Sequence, residues 1–380
     1  MEPRLKIAID AITPGASLDE KAGGMRMYVA TLTAEMGKHE PTVDFIVLES
    51  PQFPLDELEA RPNVRRVVCK GIPVNRIGRV VYQNSALPVY LRLVKADVLL
   101  ATCNVLPFGC PAPAVVVVQS LQFFDHRAAY GKIRGIYLRS ALKYATRHAR
   151  ALICVSESAR DDLLLWTGVD RQRVWVIHHG VSLAMAKATA EVRPTSPPYI
   201  LCVAALYQYK NLERLIEAFA LLKRAFPTTH RLRLVGAEAD MSFTQLAAIA
   251  RREGVEDEID IIGPVPHAQI AAQYAGASLL VYPSVSETFG HPPLEAMTIG
   301  VPVVASSSGP IPEIVGGAAE LVDPLDVTDI ARGMVRVLFD GQRSRYLVQM
   351  GFRRAKEFSW ETSALQTLNA LRSVLPSQPR

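Results

Sequence analysis

Ser286-Glu287-Thr288-Phe289-Gly290-His291-Pro292-Pro293-Leu294-Glu295-Ala296-Met297 is the stretch that decides the reading of this chain. Two carboxylates, Glu287 and Glu295, stand eight positions apart around an aromatic-glycine turn. An apolar run, Ala277 to Tyr282, comes before it and reads as a buried strand. Pro293 to Ile299 follows and reads as a helix with proline near its first turn. Glu287 is therefore expected at the carboxyl end of a strand, and Glu295 about a turn into the next helix. Backbone N–H groups at that helix start suit an anion flanked by hydroxyls.

Such a ligand describes a sugar nucleotide. The same residues, with Gly300 to Pro324 (GVPVVASSSGPIPEIVGGAAELVDP), resemble the signature of retaining family 4 glycosyltransferases of the GT-B fold, bacterial mannosyltransferases in particular. The resemblance implies a hexosyltransferase in which Glu287 reaches the donor sugar and Glu295 holds the ribose hydroxyls. It further implies that Phe289 lines the cleft and that the N–H groups of Gly290 and His291 bind the donor.

Working outward, short apolar runs alternate with helical patterns. Strands are expected at 6–12, 43–48, 64–69, 97–101, 114–119, 151–155 and 174–177, then at 199–204, 232–235, 259–262, 278–282, 303–305 and 319–322. Helices are expected at 25–38, 133–148 and 158–166, then at 212–226, 243–253, 267–274 and 327–339. Apolar strands alternating with helices imply parallel sheets covered on both faces. The fold class is thus α/β, with two Rossmann-like domains. The expected division is an N-terminal domain over 1–182, a turn-rich linker over 183–198 and a C-terminal domain over 199–358. The resemblance implies that the first binds acceptor and the second donor across an inter-domain cleft, with a helix over 359–380 crossing back to the first domain.

Lys210 follows the strand beginning at Tyr199 and is expected to open the helix after it. The run Ala204-Ala205-Leu206-Tyr207-Gln208-Tyr209-Lys210-Asn211 resembles the family's donor-phosphate loop. A lysine at a helix start adds point charge where N–H groups already favour phosphate. It stabilises a diphosphate as it leaves. The family usually has an arginine in this loop, and Ala205 and Tyr209 stand at the nearby positions here. Gly23-Gly24, expected just before the first helix, resemble the family's N-terminal glycine loop, where missing Cβ atoms allow close backbone approach. Arg26 lies within reach of a phosphate, and solvation serves it equally well. Gln119 stands where the family often has histidine, so it can position a sugar hydroxyl but cannot act as a base. Arg160 is a candidate phosphate or acceptor contact, and Ser156 beside it suits a helix N-cap. Glu313 is read as stabilising the fold.

No two aspartates are separated by one residue, so the Asp-x-Asp metal clamp is absent and no metal or other cofactor is expected beyond the sugar nucleotide. The five cysteines are scattered without Cys-x-x-Cys spacing, which argues against a disulfide framework and for a reducing cytoplasm. No run reaches the about 18 apolar residues a spanning helix needs. The net charge of +5 favours anionic partners, yet no nucleic-acid-binding module is visible. Between His126 and Arg150 lie seven lysines or arginines and no acid. Lys132, Arg139, Lys143, Arg147 and Arg150 share one helical face by periodicity, which suits either solvent or the anionic inner surface of a membrane. The expected reaction is metal-independent, retaining transfer of a hexose, first guess mannose from GDP-mannose, to a hydroxyl of a saccharide or lipid-linked saccharide. The rivals are a sugar-nucleotide epimerase or hydrolase on the same fold, and a non-catalytic sugar-nucleotide-binding protein.

Overall fold

Runs such as Ala114–Val118 (AVVVV) bury every residue, because β-branched side chains pack on both faces of a pleated strand. The computed structural model describes residues 4–12, 23–51, 54–56, 58–73, 75–182 and 196–376. The expected linker falls largely at 183–195, outside the described residues.

The chain divides into two units, residues 1–180 with 360–380, and residues 181–359. In the first, β1 (Lys6–Ala11), β2 (Asp44–Glu49), β3 (Val64–Val68), β4 (Val98–Ala101), β5 (Ala114–Val118), β6 (Ala151–Cys154) and β7 (Val174–Val176) form one sheet. Its order is β3-β2-β1-β4-β5-β6-β7, with every pair parallel. The helices are α1 (Gly23–His39), α2 (Arg76–Ser85), α3 (Leu87–Leu93), α4 (Arg127–Tyr130), α5 (Lys132–His148) and α6 (Glu157–Thr167).

In the second unit, β8 (Tyr199–Val203), β9 (Arg231–Val235), β10 (Ile259–Gly263), β11 (Ala277–Tyr282), β12 (Val303–Ser306) and β13 (Glu320–Val322) form a parallel sheet of order β10-β9-β8-β11-β12-β13. Its helices are α7 (Leu212–Ala225), α8 (Phe243–Glu253), α9 (His267–Ala275), α10 (His291–Ile299), α11 (Ile311–Val315), α12 (Val327–Phe339) and α13 (Gly341–Lys356). The core gathers around Phe219, Leu279, Val281 and Met334. Strand order reverses between β8 and β11, so their carboxyl ends diverge and open a crevice there.

The last helix, α14 (Trp360–Ser373), belongs to the first unit, as the resemblance implies. Its Arg372 pairs with Glu40 after α1, and Ser363 Oγ donates to His178 O.

Five helices, α2, α3, α4, α11 and α13, go beyond the expectation. In α13 the buried positions are Leu347, Gly351 and Ala355, and the last two are too small to mark a hydrophobic period. In α2 the polar residues Arg79 and Gln83 are buried while Ile77 and Val81 face outward, and α3 follows it after one residue.

Candidate active site

The crevice between β8 and β11 is where Lys210 and Glu287 meet. Lys210 ends a 3-10 turn, Gln208–Lys210, rather than opening the following helix. Asn211 then takes a left-handed conformation (φ 64°) before α7 begins at Leu212. Asparagine tolerates that region because its short polar side chain satisfies the local backbone. Here the buried Asn211 Nδ2 donates to Pro283 O at 3.0 Å and Pro324 O at 2.6 Å. Val285 N donates to Tyr209 O at 2.9 Å. These bonds fasten the loop after β8 to the loops after β11 and β13.

Lys210 Nζ consequently lies 2.5 Å from Glu287 Oε1 and 3.3 Å from the Tyr282 hydroxyl. Tyr282, the last residue of β11, also donates its hydroxyl to Glu287 Oε1. The side chains of Lys210 and Glu287 are 14% and 8% exposed, which shields the pair from water. Burial first, then the Glu287 charge, holds the Tyr282 phenol well above its ordinary range, so it stays a donor. Lys210 also stands 5.4 Å from the centre of the Tyr209 ring, within cation–π range.

Glu287 is followed by the turn to α10. Gly290, the N-cap, has φ 103°, and a Cβ there would meet Ile311 Cδ1 at 2.5 Å. Two prolines, Pro292 and Pro293, occupy the first turn. They fix φ for the helix and carry no N–H, which concentrates the donors of this terminus on Gly290 and His291. Burial lowers the His291 pKa below 6.5 despite the opposing pull of Glu295 and Glu287, so the imidazole is neutral near pH 7.

Glu295, the fifth residue of α10, has its own anchor: the Tyr274 hydroxyl donates to its Oε2 at 2.6 Å. Tyr274 is wholly buried near the end of α9. Both motif carboxylates are thus oriented by a buried phenol. The sequence reading missed Tyr274, Tyr282 and the tie made by Asn211. Tyrosine at the end of an apolar strand or helix reads as core, and nothing in its spacing announces a carboxylate partner.

Phe289 is a correction. It is 4% exposed, with its ring 4.9 Å from His291 and 6.0 Å from Phe358, so it packs inside the second unit rather than lining a cleft. Tyr209, standing where an arginine was looked for, is buried and stacks on Tyr207 at 5.0 Å. The Glu313 backbone carbonyl accepts from Arg354, which also donates to Ile314 O at 2.9 Å.

The remaining candidates lie in the first unit. Gly23 and Gly24 are the first residues of α1 rather than a loop before it, and a Cβ on Gly24 would meet nothing within 4 Å. Arg26 donates to Pro54 O at 2.5 Å, which ties it to the segment after β2. Arg160 pairs with Glu157 and, at 2.9 Å, with Asp161, so its charge is already matched. Ser156 caps α6, accepting from Ala159 N at 3.0 Å. Gln119 follows β5, its N–H donating at 2.8 Å to the side chain of buried Asn104. The Gln119 side-chain amide nitrogen has no hydrogen-bond partner in the structure.

The comparisons with known proteins agree with this geometry. Residues 22–185 match the family described as Glycosyltransferase Family 4, and residues 186–354 match Glycosyl transferases group 1. O-antigen chain mannosyltransferase B of Escherichia coli is 30% identical over 267 residues, 68% of this chain and 69% of that protein. The chain is a family 4 glycosyltransferase. This glycosyltransferase is also 27% identical over 254 residues to the serotype-specific mannosyltransferase WbdA of Escherichia coli, spanning 64% of this chain but 31% of the relative. Sucrose-phosphate synthase of Thermosynechococcus elongatus superposes with TM-score 0.79 over 97% of this chain and 99% of that one. At 22% identity that likeness shows the shared GT-B fold.

Proposed function

We propose that this glycosyltransferase moves a hexose, with retention and without metal, from a nucleotide-diphosphate sugar to a hydroxyl of a saccharide or lipid-linked saccharide. The observation that carries this reading is the meeting of Lys210 and Glu287 at the strand-order reversal, beside the N-terminus of α10 and one turn from Glu295. Lys210 neutralises the diphosphate as it departs, and the Gly290 and His291 N–H groups add partial positive charge. Glu287 accepts from the donor sugar and Glu295 from the ribose hydroxyls. Because His291 is neutral, it contributes as a hydrogen-bonding group rather than a cation. The leaving phosphate takes the acceptor proton in a front-face displacement.

Mannose from GDP is the first donor to test, since two Escherichia coli relatives bear the name mannosyltransferase. A thermal-shift panel of GDP, UDP, ADP, dTDP and their sugar conjugates, with EDTA present, tests both donor and metal independence. A rise with GDP and GDP-mannose supports the reading, and a rise with another nucleotide replaces its donor. A shift that EDTA abolishes overturns metal independence. Turnover of donor without glycosylated product would instead favour an epimerase or hydrolase.

A further inference from the structure

We infer that Asp240 is a positioning residue that sets the Lys210 ammonium for the donor diphosphate, a role that rests on Lys210 being the phosphate cation. Lysine carries its charge on a long, flexible stem, so its placement depends on the backbone beneath it. That backbone is the 3-10 turn Gln208–Lys210. So short a turn leaves its leading N–H groups without partners of its own. Tyr207, at the N-cap position, provides no side-chain cap. The cap comes from 32 residues away, where Asp240 Oδ1 accepts from Gln208 N at 2.8 Å. Within the turn Lys210 N donates to Tyr207 O at 2.9 Å, so the start of the turn sets the residue at its end.

Asp240 is itself held by the loop that carries it. Beyond β9 the chain stays beside the segment after β8. Leu206 N donates to Ala237 O, and Met241 N to Leu206 O, each at 2.9 Å. Leu206 and Glu238 form a parallel bridge that prolongs the pairing of β8 with β9. The approach is close because residue 236 is glycine: a Cβ there would lie 1.8 Å from Ala204 O. Glu238 Oε1 accepts from Phe243 N at 2.6 Å, and Ser242 with Gln245 closes a capping box at the start of α8. The backbone bonds of this loop reach Leu206 and stop there; the Asp240 side chain extends the grip onto the turn itself.

The far end of the turn is already fixed, Tyr209 by Val285 and Asn211 by the carbonyls of Pro283 and Pro324. Asp240 fixes the near end. Among the described residues its side chain makes no other hydrogen bond and no ion pair, so the cap is its whole engagement. Where Tyr282 and Tyr274 orient the two carboxylates, Asp240 orients the cation.

Titration calorimetry of the full chain with GDP and with guanosine tests this, since only GDP carries the diphosphate. Asp240→Ala should weaken GDP about tenfold, the worth of a hydrogen bond to a charged group expressed at Lys210, and leave guanosine within about twofold. Guanosine binding also reports a folded second unit in each variant. Asp240→Asn keeps the acceptor oxygen and should stay within about threefold of the parent for GDP. In a Lys210→Ala background the Asp240→Ala change should cost GDP less than about twofold, because the cation it positions is gone. An unchanged GDP affinity in Asp240→Ala, or equal weakening of GDP and guanosine, would overturn the inference. So would an additive loss in the double variant, or an asparagine variant as weak as the alanine one. If the parent selects another nucleotide, its diphosphate and nucleoside form the pair. A parent that binds no nucleoside diphosphate overturns the donor reading itself, and with it this role, before any variant is made.

Discussion

Replacing Lys210 by alanine leaves the Glu287 carboxylate, 8% exposed, with Tyr282 as its remaining partner in the pair's network. Stranding one member of a buried ion pair costs about 3–5 kcal/mol. Because the lysine side chain keeps 14% exposure, the lower end applies, about 3 kcal/mol. For a unit of this size, about 2–4 °C of Tm accompanies each kcal/mol, so the second unit should melt roughly 6–12 °C lower. Glu287→Gln in the same background removes the stranded charge but keeps a hydrogen-bonding end for Tyr282. More than half of the loss, about 2 kcal/mol, should return. Transfer activity should not return, because neither the cation for phosphate nor the carboxylate for the sugar is restored. Differential scanning calorimetry of parent, two single variants and the double variant, with a product assay on each, reads both quantities. A Tm for Lys210→Ala within about 1 °C of the parent would refute the reasoning, as would a double variant no more stable than Lys210→Ala.

Three further outcomes follow from the site. Glu295→Ala should weaken donor binding by losing the ribose contacts, and Tyr274→Phe should weaken it less, with ~1.5 kcal/mol at stake in a hydrogen bond to a charged group; isothermal titration that finds parental affinity in Glu295→Ala would count against the assigned role. Gly290→Ala forces a φ of 103° on a Cβ and pushes it at Ile311, so stability should fall by roughly 1–3 kcal/mol, measured by urea unfolding, with donor affinity falling alongside. His291 and His230 have folded pKa values lowered below 6.5, chiefly by burial. The stability they contribute is complete above that value and is lost as pH falls from it toward the folded values, so Tm should drop on acidification and His291→Gln should flatten part of the slope.

Most of the thirteen strands among the described residues were legible because they are short apolar runs bounded by turn residues, whose length separates them from helices; β3 (VRRVV) and β9 (RLRLV) carry arginines between their apolar positions. Lys210 and Glu287 were legible because strand-loop-helix punctuation puts them beyond the carboxyl ends of parallel strands, and Glu295 because it falls a turn into the next helix; their roles came from the family resemblance. The tertiary partners of these residues were not. Tyr282 and Tyr274 acquire their roles only once β11 and α9 place phenols beside carboxylates, five residues away in one case and 21 in the other. Arg26 and Arg160 resembled ligand contacts because a sequence shows a cation but not the Pro54 carbonyl or the Asp161 carboxylate that occupies it. Helix α2 went unread for a related reason: its exposed side carries Ile77 and Val81 while Arg79 and Gln83 are buried, so its apolar period does not mark a core-facing side.

The return of α14 to the first unit has a consequence for how the protein is made and remade. Residues 181–359 form one contiguous unit, whereas the first is completed by residues from both sides of it. Topologically, the second unit is a cassette inserted into the first. During synthesis the whole cassette is translated before Trp360 is added, so the host cannot close on its last helix until the cassette's sequence is complete. For engineering, the natural seams are Gly180/Val181 and Ser359/Trp360, and exchanging the cassette at both seams together leaves the host's own packing intact. A cut at the first seam alone would separate α1 from the helix that covers it.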